Sequence, residues 1–357
     1  LKLLWFNLRV DKNRPGLAFA IDWLNTVAEQ VDQIDVITMD AGNYEVRQNV
    51  RVYSVGKEKG YSELRRAIEF YRILGRLVIH QRYNACFAHM MPLFAVMAAP
   101  LLHLRHIPII LWYTHKSVTL LLRLATLLVD RVVTASPESF RIHSSKVRVI
   151  GHGIDPDRFV PKTHESSLPR PFTVLTVNRL SPVKRVDLLI NAVALLCQKK
   201  PELSICLKIV GGPLIDRDRT YVAELQRQVE QYQLQDRVIF VGSVPFQDVL
   251  LYYQEADCFV NMSETGSVDK AVLEAMSCGI VVVVNPIFSG ILGPELAKTL
   301  VVDWNAEQLC DRLLLIISLS ELDRCQLGKR LRDIVVHDHN LSGLCHKLMD
   351  EFRQISK

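Results

Sequence analysis

Three groups of residues in this chain have the types and spacing to do chemistry. The first is the run from Val177 to Asp187, which carries Arg179 and Lys184 just after an apolar stretch. Two cations on the loop leaving a strand can neutralise a diphosphate: Arg forks onto two oxygens, and Lys acts as a point charge. The second is the segment 263–279, a polar loop that opens into a short helix with Glu274 in its middle and Gly279 at its end. The N-terminus of such a helix offers free N–H groups and a positive dipole end to an anion. The third is His115, which closes the run Ile-Ile-Leu-Trp-Tyr-Thr-His. Each has a plainer reading. Loop cations are often only solvated, Glu274 has Lys270 one turn before it, and a histidine at a strand end is often structural. The Lys270–Glu274 order is the less favourable one for a helical pair.

The elements that must position these groups follow from periodicity. Short apolar runs alternate with helix-period segments from residue 3 to residue 150, which predicts a doubly wound, mostly parallel α/β domain. The apolar stretch 90–112 is broken by Pro100, His103, Arg105, His106 and Pro108, and reads as helix, turn and strand, not as a membrane span. A proline-rich polar stretch then precedes a second alternating set. The expected division is a domain over 1–160, a linker over 161–171, a second domain over 172–335, and a C-terminal helix over 336–357 packing back toward the first domain. Two Rossmann-like domains in tandem predict a ligand cleft between them. No G-x-G-x-x-G occurs, which argues against a dinucleotide oxidoreductase.

Composition narrows the classes further. The 357 residues are 49% hydrophobic and 23% charged, enough for large cores. The net charge of +5 is uneven: residues 1–165 hold 22 Lys/Arg against 15 Asp/Glu, and the rest hold 21 against 23. No dense basic stripe with interleaved aromatics appears, so nucleic acid is not an expected partner. The eight cysteines form no C-x-x-C pair, so no metal site is expected, and their apolar settings read as reduced core thiols in a cytoplasmic protein. The chain opens on Leu1, not Met, so the natural start is expected to lie elsewhere, and no signal peptide is visible.

Arg179 and Lys184, followed by Leu273-Glu274-Ala-Met-Ser-Cys-Gly279, resemble retaining glycosyltransferases of family 4, the glycosyl transferases group 1 with the two-domain GT-B fold. The segment 149–159, Ile209-Val-Gly-Gly-Pro213 and 238–244 resemble further parts of that pattern. The resemblance implies a transferase that moves a sugar from a nucleotide-diphosphate-sugar donor to a hydroxyl on a glycan or lipid-linked acceptor. It implies no cofactor. Arg179 and Lys184 would hold the diphosphate and stabilise the leaving nucleotide without a metal. Glu274 would accept from the ribose hydroxyls, with Leu273 beside the ribose. Gly242, Ser243 and Val244 would contact the base. His115 would meet the donor sugar, and Gly16 would lie near the phosphates. His89 matches a frequent family histidine and is equally well read as structural.

One position departs from the resemblance. The family carries a second Glu eight residues before the one at Glu274, reaching the sugar; here that residue is Gly266. The chain has Thr265-Gly-Ser-Val-Asp-Lys270 instead, so Ser267, Asp269 and Lys270 enter the candidate donor site. Asp269 or Lys270 is expected to replace the missing contact, or else the two pair with each other. The departure keeps two other readings open: a non-catalytic nucleotide-sugar or glycan-binding relative, and an epimerase on the same fold. The segment 62–83 is a basic amphipathic helix with Arg65, Arg66, Arg72, Arg76 and Arg82 among apolar residues. It reads either as an ordinary surface helix or as a peripheral contact with anionic lipid at the inner face of a membrane.

Overall fold

The computed structural model describes residues 1–12, 19–162 and 170–356. Gly16 and most of the expected linker lie outside the described residues. The chain divides into two compact units, Leu1–Gly153 with Leu341–Lys357, and Ile154–Asn340. The division therefore falls at Gly153, before the expected 160, because Ile154 and Phe159 are buried in the second unit's core.

The first unit runs β1 (Lys2–Val10), α1 (Phe19–Ala28), β2 (Gln33–Ala41), β3 (Val50–Ser54), α2 (Glu63–His80), β4 (Ala85–His89), α3 (Pro92–Leu104), β5 (Ile109–Trp112), α4 (Leu120–Leu128), β6 (Arg131–Thr134) and β7 (Val147–Val149). All seven strands are parallel, in the order β3-β2-β1-β4-β5-β6-β7. Strand side chains alternate between faces. Leu4 and Phe6 pack under α2, α3 and α4 with Phe70, Phe94 and Leu122. Leu3 and Trp5 face the opposite layer with Trp23 of α1.

The second unit runs β8 (Phe172–Val177), α5 (Val186–Lys199), β9 (Ile205–Val210), α6 (Asp216–Gln231), β10 (Val238–Gly242), α7 (Val249–Glu255), β11 (Cys258–Asn261), α8 (Lys270–Ser277), β12 (Val281–Val284), α9 (Ser289–Leu300), α10 (Ala306–Ser318) and α11 (Glu321–Asp338). Its five strands are parallel, in the order β10-β9-β8-β11-β12. The order reverses between β8 and β11, the kind of switch point beyond which ligands of such sheets bind. The last helix, α12 (Leu341–Ile355), belongs to the first unit. Its stripe of Leu344, Cys345, Leu348, Met349 and Phe352 is buried against Trp5, Trp23 and Phe87.

Helix α8 is held against α11 by two glycines in close backbone approach. A Cβ on Gly328 would fall 1.9 Å from the Gly279 carbonyl oxygen. Gly→Ala inside a helix ordinarily stabilises by about 0.5–1 kcal/mol. Here the sign is expected to reverse, with Gly328→Ala costing about 1–3 kcal/mol through overpacking, measured as a lowered urea midpoint at unchanged slope.

Candidate functional site

The loops leaving β8, β9, β10 and β11 meet at the carboxyl edge of the second sheet. Asn178 N–H donates to the Val210 carbonyl at 3.0 Å, and Leu180 N–H to Gly212 at 3.0 Å. Gly211 N–H donates to Gly242 at 2.8 Å. Gly211 sits at φ 129°, and a Cβ there would lie 1.8 Å from the Asn178 carbonyl oxygen. Only glycine lets the backbones approach this closely. The residues that end and follow β9, Val210 to Gly212, therefore hold the stretch Asn178–Leu180 against them. Gly242 closes β10 at φ 84°, followed by exposed Ser243 and half-buried Val244.

Arg179 is partly exposed, with Nε 4.0 Å from Asp218. The Asp218 side chain is almost wholly buried, and its Oδ2 makes no hydrogen bond among the described residues. Lys184 ends a tight 3₁₀ turn over Pro182–Lys184. Its Nζ meets both carboxylate oxygens of Asp269 at 2.8 Å. Asn261 Nδ2, from the last residue of β11, donates to the same carboxylate at 3.0 Å. The residue paired with Asp269 thus stands 85 positions before it, across the switch point. Beside this pair, Glu264 N–H donates to the Val183 carbonyl at 2.8 Å, and Arg185 pairs with the Glu264 carboxylate.

The loop 263–269 is held by its own polar groups and by two asparagines outside it. Ser263 N–H donates to Asn261 Oδ1 at 3.1 Å, and Ser263 Oγ to Thr265 Oγ1 at 3.0 Å. Asn285 Nδ2 donates to the Ser263 carbonyl at 3.1 Å. Gly266 takes φ 70°, and Ser267 and Lys270 are half-buried. Inside α8, Leu273 is fully buried in the core and Glu274 is 8% exposed. Tyr253 Oη, itself wholly buried, donates to Glu274 Oε2 at 2.9 Å. Burial holds the Glu274 carboxyl above the usual carboxylate range; the Tyr253 hydroxyl, Lys270 and Arg158 act against that rise.

The structure thus gathers Arg179, Lys184, Gly242, Ser243, Val244, Gly266, Ser267, Asp269, Lys270, Leu273 and Glu274 around one edge of the second unit. His115 belongs to the first unit, three residues beyond β5. It is exposed, and its Nδ1 accepts from Ser117 N–H at 3.1 Å. His89 is 3% exposed, with Nδ1 3.2 Å from Asn7 Oδ1 and its ring among Trp5, Trp23 and Phe87. That setting is a packed core. Asn261, Asp218 and Tyr253 escaped the sequence reading. A polar residue ending an apolar strand was the available signal for Asn261; Asp218 and Tyr253 carry none, because their partners are remote in sequence. Among the described residues, no group of three His, Cys, Asp or Glu is arranged to hold a metal ion.

A raised carboxyl stabilises the fold most below its unfolded value, and that contribution is lost as pH rises through the folded value. Glu274→Gln stays neutral and can still accept from Tyr253. The melting temperature of Glu274→Gln minus that of wild type is therefore expected to be larger at about pH 7 than at about pH 4. A difference that is flat or shrinks with pH would contradict the burial account.

Residues 161–332 match the family model described as glycosyl transferases group 1. The chain is 36% identical over 140 residues to a phosphatidylinositol N-acetylglucosaminyltransferase subunit of Homo sapiens, covering 38% of this chain and 26% of that protein. It is 28% identical over 169 residues to mannosylfructose-phosphate synthase of Agrobacterium fabrum, covering 43% of this chain and 37% of that protein. The chain thus spans well under half the length of these two relatives. The crystal structure of Anabaena Alr3699/HepE in complex with UDP superposes with a TM-score of 0.77 at 17% identity, covering 99% of this chain and 100% of that one. Such likeness shows the fold: two parallel-sheet Rossmann-like domains of the GT-B type. The family match and the named relatives support a glycosyltransferase of group 1.

Proposed function

We propose that this chain transfers a sugar from a nucleoside diphosphate sugar to a hydroxyl acceptor, with retention of anomeric configuration. The observation that carries the reading is the pair of cations on the loop after β8, with Arg179 near Asp218 of α6 and Lys184 against Asp269 at the N-terminus of α8. Glycosyl transfer leaves a nucleoside diphosphate, and negative charge grows on it as the glycosidic bond breaks. Fixed cations stabilise that charge more in the transition state than in the ground state, which is what accelerates the step. These two side chains can do so without a metal ion. Glu274 would take the ribose hydroxyls, residues 242–244 the base, and His115 of the first unit the donor sugar. Gly16, outside the described residues, would lie near the phosphates. The acceptor would be a glycan or a lipid-linked sugar, docking mainly on the first unit. UDP, present in the complex of the structural relative, is the first nucleotide to try.

A thermal-shift screen of nucleoside diphosphates tests the donor assignment. A ligand at 100 times its Kd stabilises the native state by about 2.7 kcal/mol. At least one diphosphate is expected to raise the melting temperature of wild type, and Lys184→Ala or Arg179→Ala should largely remove the shift. No shift with any diphosphate would overturn the reading. Product analysis with and without acceptor separates transfer from simple binding, which the glycine at 266 keeps in contention, and from epimerisation of the nucleotide sugar.

We also propose that the chain makes peripheral contact with an anionic membrane, at its cytoplasmic face. The outward stripe of α2 carries exposed Leu64, Ile68, Tyr71 and Ile79, with Arg65, Arg72 and Arg76 beside them. Helix α4 turns Leu122 and Ala125 inward, yet Leu120 is 85% and Leu127 74% exposed, with Leu121, Leu124 and Arg123 alongside. Residues 63–129 hold eight Lys/Arg against two Asp/Glu. Exposed apolar side chains among cations suit an interface of acyl chains and anionic headgroups. No helix among the described residues is long and apolar enough to cross a membrane. Flotation with phosphatidylglycerol vesicles at low salt is expected to recover the protein, neutral vesicles to recover little, and the double variant Leu124→Glu/Leu127→Glu to lose most binding. Failure to float on anionic vesicles, or undiminished flotation of the double variant, would reject this surface.

A further inference from the structure

Asp269 precedes α8 at the position from which a side chain ordinarily caps a helix, yet it makes no capping hydrogen bond. An aspartate there normally accepts from the second or third helical N–H, a contact whose loss typically costs about 1 kcal/mol. Its carboxylate is spent elsewhere. Both oxygens lie 2.8 Å from Lys184 Nζ, and Asn261 Nδ2 donates to Oδ2 at 3.0 Å. The side chains of Lys184 and Asp269 are only 12% and 16% exposed. A largely buried ammonium needs a compensating charge close by, and Asp269 is that charge.

The surroundings fix this carboxylate from several sides. Asn261 ends β11 and also accepts from Ser263 N–H through its own side-chain oxygen. On the Lys184 side, Val183 accepts from Glu264 N–H at 2.8 Å, and Arg185 pairs with Glu264. Two acid–base pairs and a backbone bond thus clip the loop after β8 to the loop after β11. Neither Glu264 nor Asp269, the carboxylates that flank Gly266, is left idle: each is matched to one of two adjacent cations.

We infer that Asp269 is a positioning residue, which presents the Lys184 ammonium to the donor diphosphate. This rests on the reading above and deepens it. An ammonium has three N–H donors, and a carboxylate on one side leaves capacity for a phosphate oxygen. A lysine on its flexible four-carbon stem would otherwise have to be ordered at the moment of binding. Asp269 orders it beforehand, so less freedom is lost when the diphosphate arrives. The carboxylate absent at Gly266 is thereby replaced in charge but not in task, because Asp269 serves the phosphate side of the donor through Lys184.

Isothermal titration calorimetry with UDP, or with whichever nucleoside diphosphate stabilises wild type most, tests this in the full chain. Lys184→Ala is expected to weaken binding at least about tenfold, which checks the donor reading by itself. Asp269→Asn is expected to weaken it about tenfold, and Asp269→Glu, which keeps the charge, by less than about threefold. In the Lys184→Ala background, Asp269→Asn should have no further effect, because the two residues act as one unit. Losses that add in the double variant would mean that Asp269 only supports the fold. Unchanged or tighter binding by Asp269→Asn would mean that the carboxylate competes with phosphate for the lysine. Either result overturns the inference while the donor reading stands. Should the Asn variant not fold by circular dichroism, the Glu variant decides: a loss as large as that of Lys184→Ala rejects the role. If wild type binds no diphosphate, the donor reading fails and this inference fails with it.

Discussion

In the second sheet β8 lies beside β11, so two loops far apart in sequence leave the same edge side by side. Both are polar and closely packed, and each has charges to satisfy in a partly buried place. They satisfy one another: Lys184 with Asp269, Arg185 with Glu264, and the Val183 carbonyl with the Glu264 amide. A charge removed from water has to meet an opposite charge or a set of hydrogen bonds. The candidate donor edge is thus the place where the strand order creates that demand and two acid–base pairs meet it.

Glycines set how near the neighbouring loops come. Gly211 has no Cβ to strike the Asn178 carbonyl, and Gly279 and Gly328 bring α8 against α11 without intervening side chains. Helix α8 is therefore placed by backbone contact at one end and by the Asp269 region at the other. Glu274 sits between these anchors, buried and hydrogen-bonded by Tyr253. A buried carboxylate has several acceptor sites, of which the Tyr253 hydroxyl takes one, which suits a group that would receive hydroxyls from a ligand.

Much of the fold could be read beforehand, because strands of a covered parallel sheet are short apolar runs and their connecting helices keep a helical period. The stretch 90–112 resolved into α3 and β5 because Arg105, His106 and Pro108 separate helix from strand, while Pro100 and His103 lie inside α3. The unit boundary was harder to place, since Ile154 and Phe159 read as the end of the first domain until the core that buries them is known. The same holds for the outward leucines of α4. Its sequence is apolar nearly all round, and only the packing of Leu122 and Ala125 shows which side stays uncovered.

The sequence by itself determined the alternation of strands and helices, the two domains, and the placement of Arg179, Lys184 and Glu274 on connections after strands. These are local properties: period, turn residues, and spacing along the chain. Tertiary structure alone decided which charge meets which. Read locally, Asp269 belongs with Lys270 or with a sugar. In the folded chain its partner is Lys184, because parallel strand order brings the ends of β8 and β11 together. Ion pairing depends on distance in space, and 85 residues of chain lie between these two.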